Sequence, residues 1–288
     1  MHGSNDTLCA KTQMKNIVHY VERPHMSHPP KQAQIGTSVS VHPSVFCSDQ
    51  LICEDNVIIE RGVIFVEDPK ANTIIREGAR IGAGAIIGTG IEIGWGAYVQ
   101  PGAVVLSSIP ANAVASGNPA QIVGYTTELP GGRDTIVRTN TPANRRAIEI
   151  TPLDVGNAAL YDMPKVLDLR GNLTVGEFDD TFPFPPKRYF VVFDVPSEKL
   201  RGEHAHHACH QFLICLSGSC TALLDDGVTR QEVVLDSPDT GLYMPPMIWG
   251  TQYRYSRDAV LMVFASHSYD GDDYIRDYDS FRALTQGG

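Results

Sequence analysis

The sequence is short of positive charge, of paired cysteines and of long apolar runs. Lys and Arg number 23 against 33 Asp and Glu, for a net charge of −10. That balance excludes a broad basic face, and with it nucleic acid and anionic membrane as expected partners. A small anionic ligand stays possible, because a few local arginines suffice to hold it. The six cysteines, Cys9, Cys47, Cys53, Cys209, Cys215 and Cys220, form no Cys-x-x-Cys pair. Cys47 and Cys53 fall in apolar-patterned positions, so the set reads as reduced thiols of a cytoplasmic protein. No apolar run approaches membrane-spanning length, and the opening residues are polar with no signal-peptide core. Residues 1–30 carry no periodicity. The chain nonetheless has 288 residues, 42% of them apolar, enough for one or two domains with full cores.

The first half has a period of six. From Ile35 the series runs Val41, Cys47, Cys53, Ile59 and Phe65. After a four-residue slip it resumes at Ile75, Ile81, Ile87, Ile93, Val99 and Val105. Glycine follows directly at 36, 82, 88 and 94. A helix needs apolar residues three and four apart; a six-residue period fits short strands, each sending a residue into a common core. Three such units make a triangular coil, so about four coils of a parallel β-helix are expected over residues 31–125.

These residues resemble the left-handed β-helix acyltransferases of the hexapeptide-repeat family. The closing stretch "SSIPANAVASGNPAQIVGY" (107–125) is similar to the segment that ends the helix and contacts coenzyme A there. The resemblance implies acetyl-CoA as co-substrate, with Gly84, Gly90, Ser116, Gly117, Asn118 and Pro119 at its site. The slip, "FVEDPKANTI", lies where a nucleotide-sugar N-acetyltransferase branch carries Phe-x-Asn-Asp facing the sugar amine. Asp68 matches the Asp and Glu67 replaces the Asn, so both are candidates for holding the ammonium and accepting its proton. His42 is the other candidate base. Asp49, Glu54 and Asp55 read as turn residues.

Residues 126–150 lose the repeat and read as a linker. From 151 to 288 short strand-like stretches follow, at 187–195, 210–226, 230–235, 241–246 and 259–266, separated by turn signals. The expectation is an antiparallel barrel or jelly roll, ending in a polar extension and a short helix. The fold class is therefore all-β, a β-helix followed by a cupin-like barrel. Four of the ten histidines fall in "HAHHACH" (204–210), just before the strand expected to begin near His210. Alternation puts His204 and His206 on one face and His207 on the other. The pattern resembles the first cupin motif, but Gly250 stands where the second motif needs a histidine. Only His204, His206 and His210 remain as ligands, so no metal is expected.

The stretches "DLRGNL", "KRYFVVFD", "RGEHAH", "LSGSCTALLDDG", "VVLDSPDTGLYMPPMIW" and "DDYIRDYDSF" resemble the cupin-fold sugar 3,4-ketoisomerases acting on dTDP-4-keto-6-deoxyglucose. His207 and His210 depart from the family's usual Lys and Glu. The resemblance implies His204 and His206 as acid–base groups, with His210 orienting them or merely packing. Arg170, Arg188 and Arg201 would hold the diphosphate. Trp249 would either stack on base or sugar or pack in the core, Tyr189 and Glu177 are weaker candidates, and Asn172 would influence the C4 epimer, expected as galacto.

Together the halves resemble bifunctional ketoisomerase/N-acetyltransferases of dTDP-3-amino-sugar synthesis, between whose two reactions an aminotransferase must act. The family implies β-helix trimers and cupin dimers, closing as a homo-hexamer. A rival reading keeps only the acyltransferase, with the barrel as a sugar-nucleotide tether. A second makes the β-helix a scaffold for a binding barrel.

Overall fold

The computed structural model describes residues 34–45, 50–66, 68–126, 144–180, 182–197 and 199–286. The expectations placed on Cys9, Cys47, Asp49, Glu67 and most of the linker lie outside these residues. The chain divides into two compact units, Met1–Thr126 and Thr127–Gly288.

In the first unit, the described members of the six-residue series each end a strand of two or three residues, from Gln34–Ile35 to Val104–Val105. The strands stack in three sheets of parallel pairs, such as Ile59 on Ile81, Ile75 on Ile93 and Ile87 on Val105. From Cys53 to Val105 these residues are at most 5% exposed. A second inward position two residues earlier was not read from the sequence: Val57, Val63, Ala79, Ala85, Ala97 and Ala103 are also buried. Small residues there let the coils close. The glycines after the strands are there because the coils stack tightly. At Gly94 a Cβ would lie 2.5 Å from the Ala111 nitrogen, a contact only glycine avoids.

Outside the coils, polar side chains tie one turn to the next. Arg76 donates to Glu92 at 2.7 Å and to Glu54 at 2.8 Å, so Glu54 is a rung of a ladder. Asp55 accepts from the Thr37 amide at 2.6 Å. The four-residue slip leaves the stack intact, since Cys53 still pairs with Ile75. The surplus chain turns outward around Asp68. The last coil is capped by an antiparallel hairpin, Ala113–Gly117 with Ala120–Tyr125.

The second unit is a jelly roll of two antiparallel sheets. One runs Glu149–Pro152, Ala159–Asp162, Thr240–Met244, Gln211–Ser217, Val260–Ala265, Arg188–Phe193. The other runs Arg230–Leu235, Cys220–Asp225, Trp249–Tyr253, Arg201–His206, Tyr274–Ile275. Leu160, Leu213, Leu224, Leu235, Leu242 and Leu261 meet between them, none more than 1% exposed. Alternation explains the strands: Leu213 points inward, while Phe212 and Ile214 point outward to a separate aromatic cluster with Met163 and Phe184.

Three sequence expectations change. The stretch 210–226 is two strands, broken at Gly218, which has a positive φ. His204 and His206 precede a strand as expected, Gln211–Ser217, but also lie in one of their own, Arg201–His206. The region taken for a broken motif supplies the Trp249–Tyr253 strand, paired on both sides. The final helix, Tyr278–Gln286, docks through Phe281, which is fully buried. It also docks through a buried triad, in which Tyr278 and Arg230 both bond Asp225. Among the described residues no helix is long and apolar enough to cross a membrane.

Candidate active site

A cavity of about 190 Å³ opens between the two sheets. Its wall carries Arg201, His204, His206, Gln211, Gly250 and Gln252, and its apolar side Phe190, Val192, Leu213 and Ile248. Simple alternation puts Arg201 and His204 on opposite faces. A β-bulge at Glu203 reverses that. Arg201 pairs with Gln252 and His204 with Gly250, leaving Glu203 as the extra residue. Residues directly opposite share a face, so both Arg201 and His204 reach the cavity. The bulge needs left-handed backbone at Gly202 and Glu203. At Gly202 a Cβ would stand 2.5 Å from the Gly250 carbonyl oxygen.

His206 is 5% exposed. Its Nδ1 donates to Asp273 at 2.7 Å, and its Nε2 accepts from the Gln211 amide at 3.0 Å. That pair of bonds describes a neutral imidazole with its proton on Nδ1. Burial pushes its pKa down to about 4, overriding the opposite pull of Asp273. Burial also pushes the Asp273 carboxyl up. The His206 bond and the amides of Ala208 and Cys209 outweigh this and hold it below the ordinary range.

His204 donates from Nδ1 to the Gly202 carbonyl at 2.9 Å. Its Nε2 has no partner among the described residues and keeps a free lone pair. Burial, and secondarily the charge of Arg276, lower its pKa. The two rings lie 5.0 Å apart, and Tyr274 packs 4.9 Å from one and 4.3 Å from the other. The pair thus sets one imidazole with an open Nε2 beside one braced by a carboxylate, an arrangement able to give and take protons.

Cationic groups border the pair. Arg188 donates to the Tyr274 hydroxyl at 3.3 Å, while its buried Nε has no partner. A buried, unmatched guanidinium N–H fits an anionic ligand. Arg276 lies over the Tyr274 ring at 4.2 Å.

Other sequence candidates lie elsewhere. Arg170 sits in an exposed turn, paired with Asp168 at 2.9 Å, and Asn172 and Glu177 are also exposed. Tyr189 alternates outward opposite Phe264, leaving its neighbour Phe190 at the cavity. Trp249 is a correction to the stacking expectation. It points away from the Gly250–Gln252 face and packs 5.1 Å from Tyr278 and 5.6 Å from Phe281. His210 does not orient the pair. It bonds the Tyr243 hydroxyl at 2.8 Å on the outer face, so His204, His206 and His210 form no common metal site. His207 is exposed. Asp273, Gln211, Tyr274 and the Glu203 bulge were missed. Asp273 is one acid among Asp270, Asp272 and Asp273, with nothing local to single it out.

In the solenoid, Asp68 Oδ1 accepts from the Lys70 amide at 2.9 Å, and its carbonyl from Ala71 at 3.1 Å. Its other carboxylate oxygen has no partner among the described residues. His42 is exposed, its Nδ1 accepting from the Ser44 amide at 3.1 Å. Gly84 and Gly90 are left-handed corners. Ser116 to Pro119 form the turn of the capping hairpin.

Comparison with known proteins matches each unit. The WxcM-like, C-terminal family profile covers residues 156–286, and the bacterial transferase hexapeptide profile covers 72–107. A TDP-4-oxo-6-deoxy-alpha-D-glucose-3,4-oxoisomerase of Aneurinibacillus thermoaerophilus is 48% identical over 123 residues, 43% of this chain and 88% of that one. Among solved structures, a mutant 3,4-ketoisomerase from Thermoanaerobacterium thermosaccharolyticum in complex with TDP-4-keto-6-deoxyglucose is 34% identical. The match covers 46% of this chain and 95% of that one, with a TM-score of 0.45. A serine acetyltransferase from Brucella abortus is 33% identical over 33% of this chain and 41% of that one, with a TM-score of 0.32. The chain belongs, on its long match to the oxoisomerase, to the WxcM-like family of sugar 3,4-oxoisomerases, here carrying a hexapeptide-repeat solenoid.

Proposed function

We propose that the barrel isomerises dTDP-4-keto-6-deoxyglucose to the 3-keto-6-deoxy sugar, of galacto configuration, and that the solenoid acetylates a dTDP-3-amino sugar. The carrying observation is the histidine pair with Asp273 at the cavity wall. The 4-keto sugar must move one proton from C3 to C4 and another from O3 to O4. His204, with its free Nε2, takes the C3 proton. An enediolate forms, the protonated His204 exchanges with solvent, and it returns a proton at C4. His206 passes the oxygen-bound proton, its ring held by Asp273. No electrons leave the sugar, so the reaction needs neither redox cofactor nor metal. Arg188 and Arg201 take the diphosphate.

For acetyl transfer, Asp68 holds the sugar's ammonium and accepts its proton as the neutral amine attacks the thioester of acetyl-CoA. Glu67 assists it. Gly84, with nothing within 4 Å of a Cβ placed there, leaves a bare ledge for the co-substrate, while Gly90 is closed in by Ala71 at 3.2 Å. Ile58, Ile64, Val66 and Leu106 are exposed on the solenoid, which supports a trimer there. With dimer contacts through the barrel, the assembly is a cytoplasmic homo-hexamer.

The test is incubation with dTDP-4-keto-6-deoxyglucose in deuterated water, followed by NMR. Deuterium entering the sugar ring alongside a 3-keto product supports the reading. An unchanged sugar overturns it.

A further inference from the structure

We propose that His206, Cys209 and Asp273 form a capture site for a zinc-like divalent ion, and that filling it silences the isomerase. One ligand atom from each residue lies within 4.8 Å of the others. They come from a strand end, the turn after it, and a segment far along the chain. Cys209 lines the cavity beside His206 and is 2% exposed. The isomerisation has no task for a thiol. Its present bonds are the weak ones of sulfur, 3.4 Å to the His210 carbonyl and 3.9 Å from the Ser266 hydroxyl.

The donor set decides the ion. Thiolate, imidazole and carboxylate are the ligands of borderline-soft metals. Calcium and magnesium want several hard oxygens, and this cluster offers a single carboxylate. Charge is balanced as well: a dipositive ion with one thiolate and one carboxylate is neutral, which limits the cost of burial. Zinc bonds of about 2.0–2.3 Å place tetrahedral donors roughly 3.3–3.8 Å apart. Filling the site therefore draws the Cys209 thiol inward and opens the 2.7 Å contact between His206 Nδ1 and Asp273. Water from the cavity completes the set.

The protons balance. The thiol proton leaves to solvent, one per ion bound. The Nδ1 proton of His206 moves to Nε2, where Gln211 turns its amide oxygen to accept it. His206 then has no lone pair for the oxygen-to-oxygen transfer, and Asp273 holds the metal instead of the ring. Binding stands on the cluster alone. The inhibition rests on the isomerase reading above.

Cobalt chloride is the probe, titrated into the full chain without oxygen. One equivalent should produce a thiolate-to-cobalt charge-transfer band in the near ultraviolet, discharged by zinc chloride. Cys209→Ser and Cys209→Ala should lose the band while keeping their circular dichroism, and Asp273→Asn should weaken it. Zinc should slow wild-type isomerisation about tenfold or more, while each Cys209 variant keeps most of its own metal-free rate. A missing band, or one that survives both Cys209 variants, overturns the site. A Cys209-dependent band in a protein with no metal-free isomerisation leaves the site standing and sinks the isomerase reading.

Discussion

The two units treat polar groups in opposite ways. Of the buried polar or charged residues among the described ones, only Thr73 and Asn112 belong to the solenoid, while His206, Gln211, Asp225, Arg230, Glu232 and Asp239 are among those of the barrel. The solenoid keeps its core apolar and repetitive, and places polar residues on ladders outside. The barrel carries ionisable groups inward and satisfies each through a distant partner, as Arg145 and Lys165 do for Asp239. A repetitive core is a framework that tolerates little chemistry within it. A polar core is costly to build, and it sets pKa values that chemistry can use.

The contrast breaks most directly at the histidines. His204→Asn and His206→Asn should each lower isomerisation about 10²-fold or more and leave acetyl transfer in place. Retained isomerisation in the double variant, read by NMR, removes the barrel's claim to chemistry. The counterpart in the solenoid is Ile81→Ala. A fully buried Ile should cost that unit about 2–5 kcal/mol in denaturant melts, with isomerisation unchanged at low denaturant. Parallel loss of both activities would mean the units do not fold independently.

Asp68→Ala sharpens the comparison. It should reduce acetyl transfer roughly tenfold or more without touching isomerisation. Loss in His42→Ala instead would move the amine site to the first coil. The acid side of the isomerase profile carries a smaller effect. A base must be neutral to act, and burial lowers both His204 and His206, the latter to about 4. The rate should therefore hold as pH falls through the usual imidazole range and fail below it. An inflection in kcat/KM at the free imidazole value would contradict that. The smallest change is His207→Asn, which should alter neither rate by more than about twofold.

Legibility follows the same division. The strand ends at Ile59, Ile81 and Val99 were readable because each repeat reports on its neighbours, and the wrong period was improbable over so many matches. The second inward set escaped notice because alanine at 79, 85 and 97 carries little apolar signal. In the barrel, the shared face of His204 and His206 was readable from alternation. The reach of Arg201 was not, because one extra residue at Glu203 changes parity. Trp249 was left open between ligand and core because its chemistry fits either, and only strand parity decides for the core. Asp273 lay within the matched stretch "DDYIRDYDSF", but its role was not legible there, since it depends on a pairing across the sheet edge, His206 opposite Tyr274.

That pairing has a consequence for how the protein comes into being. Asp273 leaves the ribosome 67 residues after the histidine it braces. Solenoid coils can settle one upon another as they emerge. The barrel's histidine strand must wait beside an open edge until Tyr274–Ile275 arrives to close it. On the proposed mechanism the site is thus completed late, and a chain interrupted just before Asp273 would hold every histidine and no braced pair.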